Sequence, residues 1–203
     1  MFIGSAKKIK NIFCLIILTA ITQVGCTTAE FKPDYLDKNF DSAGIDNLTV
    51  LPVADLRKDK SYEVDSLEEE MLRYGWTGYG VIQNTGYSVN YADNFGSIKN
   101  INDDDVAYPT EQWISQLGSN EDRLILLIAL ADLGFTEGWG AAVRVECKGF
   151  LYDKKSRRMV WSHSTNYSQG APGLLGIAVK NNTVNNTMRY CTANLMLQFP
   201  KRK

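Results

Sequence analysis

Histidine is nearly absent from this chain, with a single copy, His163, among 203 residues. One imidazole cannot supply the two-histidine zinc motifs, and no G-x-S-x-G turn offers the exposed nucleophile that a serine–histidine–aspartate site needs. His163, in Trp161-Ser162-His163-Ser164, is therefore expected to be a strand residue at a sheet surface. Positive charge in excess is missing too, since 22 Lys and Arg stand against 23 Asp and Glu. No basic tract could neutralise a row of phosphates, which argues against nucleic acid as a partner. Asp103, Asp104 and Asp105 lack the D-x-D-x-D-G alternation that aims oxygens at one calcium ion, so they read as a solvated acidic turn leading into a helix and no metal is expected. The glycines from Gly75 to Gly86 are not followed by Lys-Ser/Thr and do not have G-x-G-x-x-G spacing, so no phosphate cradle or cofactor is expected either. Beyond the first 25 residues, the longest apolar run is Leu124 to Ala131, eight residues. A membrane-crossing helix needs about 20.

What is present begins at the first residues. Lys7, Lys8 and Lys10 precede an apolar run of 14 residues, Ile12 to Gly25, which ends at Cys26. A positive end, a short greasy segment and a small residue at its close are the layout of a cleaved secretory signal, here residues 1–25. Gly25-Cys26 resembles the lipobox of bacterial lipoproteins, whose cysteine becomes the acylated first residue of the mature protein. Val24 fits that pattern, while Gln23 replaces its usual Leu, Val or Ile. The resemblance implies lipid on Cys26, each buried methylene contributing about 0.8 kcal/mol to membrane residence. Thr27, where inner-membrane retention usually has Asp, implies an outer-membrane protein facing the periplasm. An ordinary secreted protein is the alternative. Loss of residues 1–25 removes three lysines and no acid, leaving 19 cations against 23 anions, a net charge of −4.

Residues 26–45, rich in Asp, Thr, Ser and Gly with few regularly spaced apolar positions, read as a lipidated tether, although Phe31, Tyr35, Leu36 and Phe40 could dock on the domain. Residues 46–203 then form one domain. Leu48 to Val53 is a strand entering a polar loop, with Pro52 near its end or edge because proline cannot donate to a ladder. Asp65 and Ser66 cap an acid-first helix to about Tyr74. Tyr87 to Tyr91 is a strand, and Pro109, Thr110 and Glu111 open a short helix through Leu117 that stops at Gly118. Arg123 to Leu133 reads as a central strand buried on both faces. Val143, Val145, Cys147, Gly149 and Leu151 alternate with Arg144, Glu146, Lys148 and Phe150, a strand with one solvated face. A basic turn, Asp153 to Arg158, joins it to Met159–Tyr167 as a hairpin. Val184, Met188, Cys191, Leu195 and Phe199 recur at helical spacing and should cover the sheet.

The fold class is therefore α/β: a single domain with a mixed sheet of about five strands, packed helices and a C-terminal helix on the sheet. In an oxidising compartment Cys147 and Cys191 could be bridged across about 45 residues, a gain of about 4 kcal/mol in the chain-entropy model. Two buried free thiols are the alternative.

The phrases LTVLPVADLR, RLILLIALAD, VECKGFLYDKKSRRMVW and LMLQFP resemble small bacterial envelope lipoproteins related to the periplasmic domain of curli-secretion (CsgG-like) proteins and to lipoprotein activators of penicillin-binding proteins. The likeness covers most of 46–200 and rests largely on core patterns. It implies a binding or assembly component, with envelope proteins as partners and oligomerisation possible. Long alternating hairpins that could cross a membrane as strands are missing, so a pore is not implied.

Trp76 and Tyr79 on the glycine-punctuated loop are candidates for a rigid aromatic contact surface, or for core filling. Leu174 and Leu175, flanked by Gly170, Pro172, Gly173 and Gly176, would bind a partner if exposed and cap the sheet if buried. The expected function is a non-enzymatic accessory or assembly component of a cell-envelope complex. The rivals are a hydrolase of cell-wall polymer using paired carboxylates, for which Glu111 and Glu137 are arbitrary choices, and a small-ligand binding module.

Overall fold

The computed structural model describes residues 33–64, 85–136, 142–170 and 177–203, with only the backbone described for 177–181. Its described elements are β1 (Tyr35–Leu36), β2 (Asn47–Val50), β3 (Ala54–Asp55), β4 (Ser88–Tyr91), α1 (Asp103–Ala107), α2 (Glu111–Gln116), β5 (Leu124–Thr136), β6 (Ala142–Asp153), β7 (Arg158–Gly170) and α3 (Ile177–Met196). They build a mixed α/β domain on one seven-stranded sheet of order β1-β7-β6-β5-β2-β4, with β3 also on β5. The expected strand count of about five rises to seven because β1 and β3, two residues each, are too short to leave a periodic signal.

β5 is central because every side chain from Leu124 to Leu130 is fully buried. Even-numbered positions there enter one core with α3, and Ile125, Leu127 and Ala129 enter a second core beneath α1 and α2. The register slips between Leu130 and Asp132 against β6. One extra residue exchanges the faces, which is why Leu133 and Phe135 rejoin the first core. Pro52 marks a similar irregularity. Val50 lies opposite Leu126 and Ala54 opposite Ala129, so four steps along one strand match three along the other. A residue without an N–H falls where the ladder is already broken.

The β6–β7 hairpin pairs from Ala142↔Gly170 to Asp153↔Arg158. Arg144 is exposed as expected, but Phe150 is buried in the second core with Tyr152. That face is solvated only toward its distal end. On α3, Val184, Met188, Cys191 and Leu195 lie buried on the sheet. The helix stops at Met196, and Phe199 reaches the same core from the turn after it, its ring 5.3 Å from Trp161 and 6.1 Å from Tyr87. Asp103–Asp105 precede α2 as expected and also form the first turn of a separate short helix, α1, where Asn102 accepts the Asp105 N–H at 2.9 Å. Negative charge there suits the positive end of the helix dipole. Thr110 caps α2 by accepting the Trp113 N–H at 3.1 Å. The helix expected over 65–74 lies outside the described residues. Among the described residues no helix is long and apolar enough to cross a membrane.

Candidate functional site

Most sequence candidates fall beyond the described residues: Cys26, Trp76, Tyr79, Glu137, Leu174 and Leu175. Glu111 sits exposed at the first turn of α2, 3.7 Å from the Arg157 guanidinium. That is a surface ion pair, which contributes about 1 kcal/mol at most. Cys147 on β6 and Cys191 on α3 bring their sulfurs into bonding contact, with Cα atoms 6.1 Å apart. Both are fully buried, at the seam where the last helix meets the sheet.

The seam that sequence reasoning misplaced is at the other edge. Residues 33–45, read as part of the tether, lie on the sheet. Tyr35 pairs with Ser162 and Leu36 with Trp161, and the Asp37 N–H donates to the Val160 carbonyl at 2.9 Å. Asp34 ends this ladder with its side chain, accepting the Ser164 N–H at 2.6 Å and the Ser164 hydroxyl at 2.9 Å. Pro33, with no N–H, precedes it. Together they finish an edge strand. Asp37 is buried, 3.7 Å from Arg158, and the Ser42 hydroxyl donates to the Lys201 carbonyl at 3.3 Å. The docking open to Tyr35, Leu36 and Phe40 in the sequence is thus realised, while the polar contacts, between residues more than a hundred apart, had no local signal.

This segment also changes the place of His163. Its side chain is only 10% exposed, with Nδ1 3.5 Å from an Asp34 carboxylate oxygen and the ring against Trp161. It lies under the N-terminal segment, not at an open sheet surface, because the residue opposite it across β1 and β7 is Asp34.

A second feature is a polar cleft of about 310 Å³ on the α1–α2 side of the sheet. Its floor is Thr49 on β2 and Asn90 on β4, its rim runs from Tyr91 to Asn94, and Gly118, Ser119 and Asp122 form the opposite wall. The two walls are stitched together: Ser97 N–H donates to the Gln116 carbonyl at 3.0 Å and Gly118 N–H to the Phe95 carbonyl at 3.2 Å. Glycine is required at both crossings. Gly96, at φ +85°, would place a Cβ 2.4 Å from the Gln116 carbonyl oxygen, and Gly118, at φ +57°, 2.6 Å from an Asp122 carboxylate oxygen. No ordinary side chain fits either position.

Asp122 organises the wall. It accepts the Thr49 hydroxyl and the Ser119 N–H, each at 2.7 Å. Burial by itself would raise its pKa, but those bonds and the charge of Lys154 outweigh it and hold the carboxyl below the ordinary aspartate value. A carboxyl so held is a poor proton donor at neutral pH. Lys154 donates its ammonium to the Leu117 and Ser119 carbonyls at 2.7 Å each. Burial pulls its pKa down against the opposing pull of Asp122. In the Asp103–Asp105 run, Asp103 pairs with Lys148 at 3.1 Å and Asp105 accepts from the Asn102 side chain at 2.6 Å, and among the described residues no three metal-ligating groups converge.

No family model and no curated protein matches this chain. Solved structures similar to it include lipoprotein GNA1162 from Neisseria meningitidis, 17% identical over 66% of this chain and 90% of that one, TM-score 0.43. The PelC dodecamer from Paraburkholderia phytofirmans is 13% identical over 84% of this chain and 96% of that one, TM-score 0.46. Hypothetical protein CT253 from Chlamydia trachomatis is 12% identical over 74% and 95%, TM-score 0.48. Bacterial lipoproteins are thus among the chain's structural neighbours, at a similarity too low to carry an argument about function.

Proposed function

We propose that the mature protein is a lipoprotein held at the outer membrane by acylated Cys26, its domain facing the periplasm, and that it acts there as a non-enzymatic accessory or assembly component. One observation carries this reading: a signal-like segment ends in Gly25-Cys26, and eight residues later Asp34 is fastened to the edge of the sheet. Eight residues of fully extended chain span about 28 Å, so the anchor keeps the domain close to the bilayer. Assembly in place of catalysis is supported by the character of Asp122 as a firmly ionised, fully engaged carboxylate and by the covered position of His163. Envelope proteins, including further copies of this chain, are the partners this role calls for.

Cys26→Ser should shift the protein from the membrane fraction to the soluble fraction, and wild type should incorporate labelled palmitate. His163→Ala should leave complementation of a deletion strain intact. Absence of fatty-acid incorporation in wild type would remove the anchor reading. A folded His163→Ala protein that stays on the membrane but fails to complement would remove the non-enzymatic one.

A further inference from the structure

β7 is longer than the strand that covers it. Its pairing with β6 runs to Gly170, whereas β1 meets it only at Trp161 and Ser162. The Val160 carbonyl and the Ser164 N–H face the same edge, and the Asp37 N–H and the Asp34 side chain take them. Alternation along the unshifted strand then turns the backbone N–H and C=O of Asn166, Ser168 and Gly170 to that edge as well. These three residues are exposed, and among the described residues nothing bonds to their outward backbone groups. We propose that this open edge pairs antiparallel with the same edge of a second copy of the chain, about a two-fold axis at Ser168. Asn166 then exchanges backbone bonds with Gly170 of the second copy, and Ser168 with its own counterpart.

Length, charge and contrast with the other edges select this occupant. A ladder over residues 166–170 is centred on Ser168, so β1 of each copy, on Trp161 and Ser162, lies outside it. Between Arg158 and Lys180 the chain has no Asp, Glu, Lys or Arg. Self-pairing there sets no like charges opposite one another, although the mature chain as a whole is acidic. The same molecule also shows a guarded edge: Pro33 has no N–H to offer and Asp34 fills Ser164, whereas no proline, lysine or bulge blunts residues 166–170. At the far edge of the sheet, Ser88 and Ala92 donate to the Asp46 and Val50 carbonyls, so β4 turns only Val89 and Tyr91 outward. β7 offers the longer ladder, and a two-fold axis closes it without leaving a further edge to grow. As a partner assignment this rests on the assembly role proposed above, yet it needs no lipid, so its failure would leave the Cys26 anchor untouched.

The test uses the mature chain carrying Cys26→Ser, followed by sedimentation over a concentration series. It should reach a dimer, and Ser168→Lys and Ser168→Pro should each raise the dissociation constant by about tenfold or more, the scale of one lost hydrogen-bonded pair. Position 168 is exposed and its N–H faces outward, so both variants keep the β6–β7 ladder and should melt close to wild type. Ser168→Cys should form a symmetric intermolecular disulfide on oxidation, because facing residues of such a pair have Cα atoms about 5.5 Å apart, inside the bridging range. Tyr91→Lys, on β4, should leave the dimer intact. A monomer at every concentration, dimers that survive Ser168→Lys, or dimers that Tyr91→Lys removes would each overturn the proposal.

Discussion

Gly149 on β6 is the position where one added methyl group tests the packing most directly. An ideal Cβ there would lie 2.9 and 3.0 Å from Cζ3 and Cη2 of Trp161 and 3.1 Å from a Leu195 methyl. All three are well inside the usual carbon–carbon optimum of about 3.5–4.0 Å. Trp161 has little room to yield: it is fully buried, donates its indole N–H to the Gln198 carbonyl at 2.9 Å and meets the edge of Phe199. Overpacking of this kind costs about 1–3 kcal/mol. For a domain of this size that is a fall in Tm of about 2–4 °C per kcal/mol, so Gly149→Ala should melt about 2–12 °C below wild type. Trp161→Phe removes the two clashing ring atoms and, alone, should also destabilise, by lost area and a lost hydrogen bond of about 1 kcal/mol. The double variant should lose less than the two single losses summed, with a coupling of about 1 kcal/mol measured by calorimetry or urea titration. Strict additivity, or a Gly149→Ala protein with wild-type Tm, would refute the packing of α3 over this hairpin.

Three further outcomes follow from the same geometry. Met188, fully buried on α3, cannot accept an unpaired carboxylate, so Met188→Asp should abolish cooperative melting by circular dichroism; a normal melt would show that the stripe is not core. The mature domain, denatured without reductant, should show no reactive thiol at Cys147 or Cys191, and reduction should expose both and lower stability by about 4 kcal/mol in the chain-entropy model; two thiols before reduction would mean that the pair is unbridged. Asp55, where Arg57 overcomes the effect of burial, and Asp122 both titrate below their ordinary values. The stability they contribute is complete above the unfolded aspartate pKa of about 3.9 and lost as pH falls through the lower folded values. Urea midpoints should therefore drop below about pH 4, less steeply in Asp122→Asn; an identical acid slope in that variant would contradict the assignment.

The elements read correctly from sequence are those whose burial is written locally. β5 is apolar on both faces over seven consecutive residues, and α3 carries its core at steps of three and four. The hairpin alternates until Phe150, where a second core on the far face reverses the pattern. The helix α2 and the two buried faces of β5 were legible, but nothing local in β6 says that α1 and α2, elements of five and six residues, also lie over a face of the hairpin that looked solvated. The cleft was equally hidden. Thr49 and Asp122, which fix its wall, are 73 residues apart, and neither carries a motif. Gly96 and Gly118 did mark it, as positive-φ positions, yet in sequence a glycine before Ser97 and one ending a helix look like ordinary turns.

The N-terminal segment shows how composition can mislead in a physically definite way. Asp34, Asp37, Asp41, Ser42 and Gly44 have the polarity of a solvated linker, and a twenty-residue linker from 26 to 45 would reach about 70 Å. Each of those polar groups is instead a fastening. Asp34 holds Ser164, Asp37 meets Arg158 and accepts the Asn39 N–H at 2.8 Å, Asp41 accepts the Ala43 N–H at 3.1 Å, and Ser42 reaches the Lys201 backbone. Short polar side chains that bond the backbone two residues on make turns, not disorder. The described chain is already fastened at Asp34, eight residues after the proposed lipid attachment at Cys26, a span of at most about 28 Å in place of the about 70 Å counted to residue 45. Under the proposed acylation of Cys26, the first fixed point after the lipid is β1, paired at the sheet's edge and held by Asp34 to the same strand, β7, that carries His163 and Trp161, so any pull on the anchor would be met first by that edge pairing.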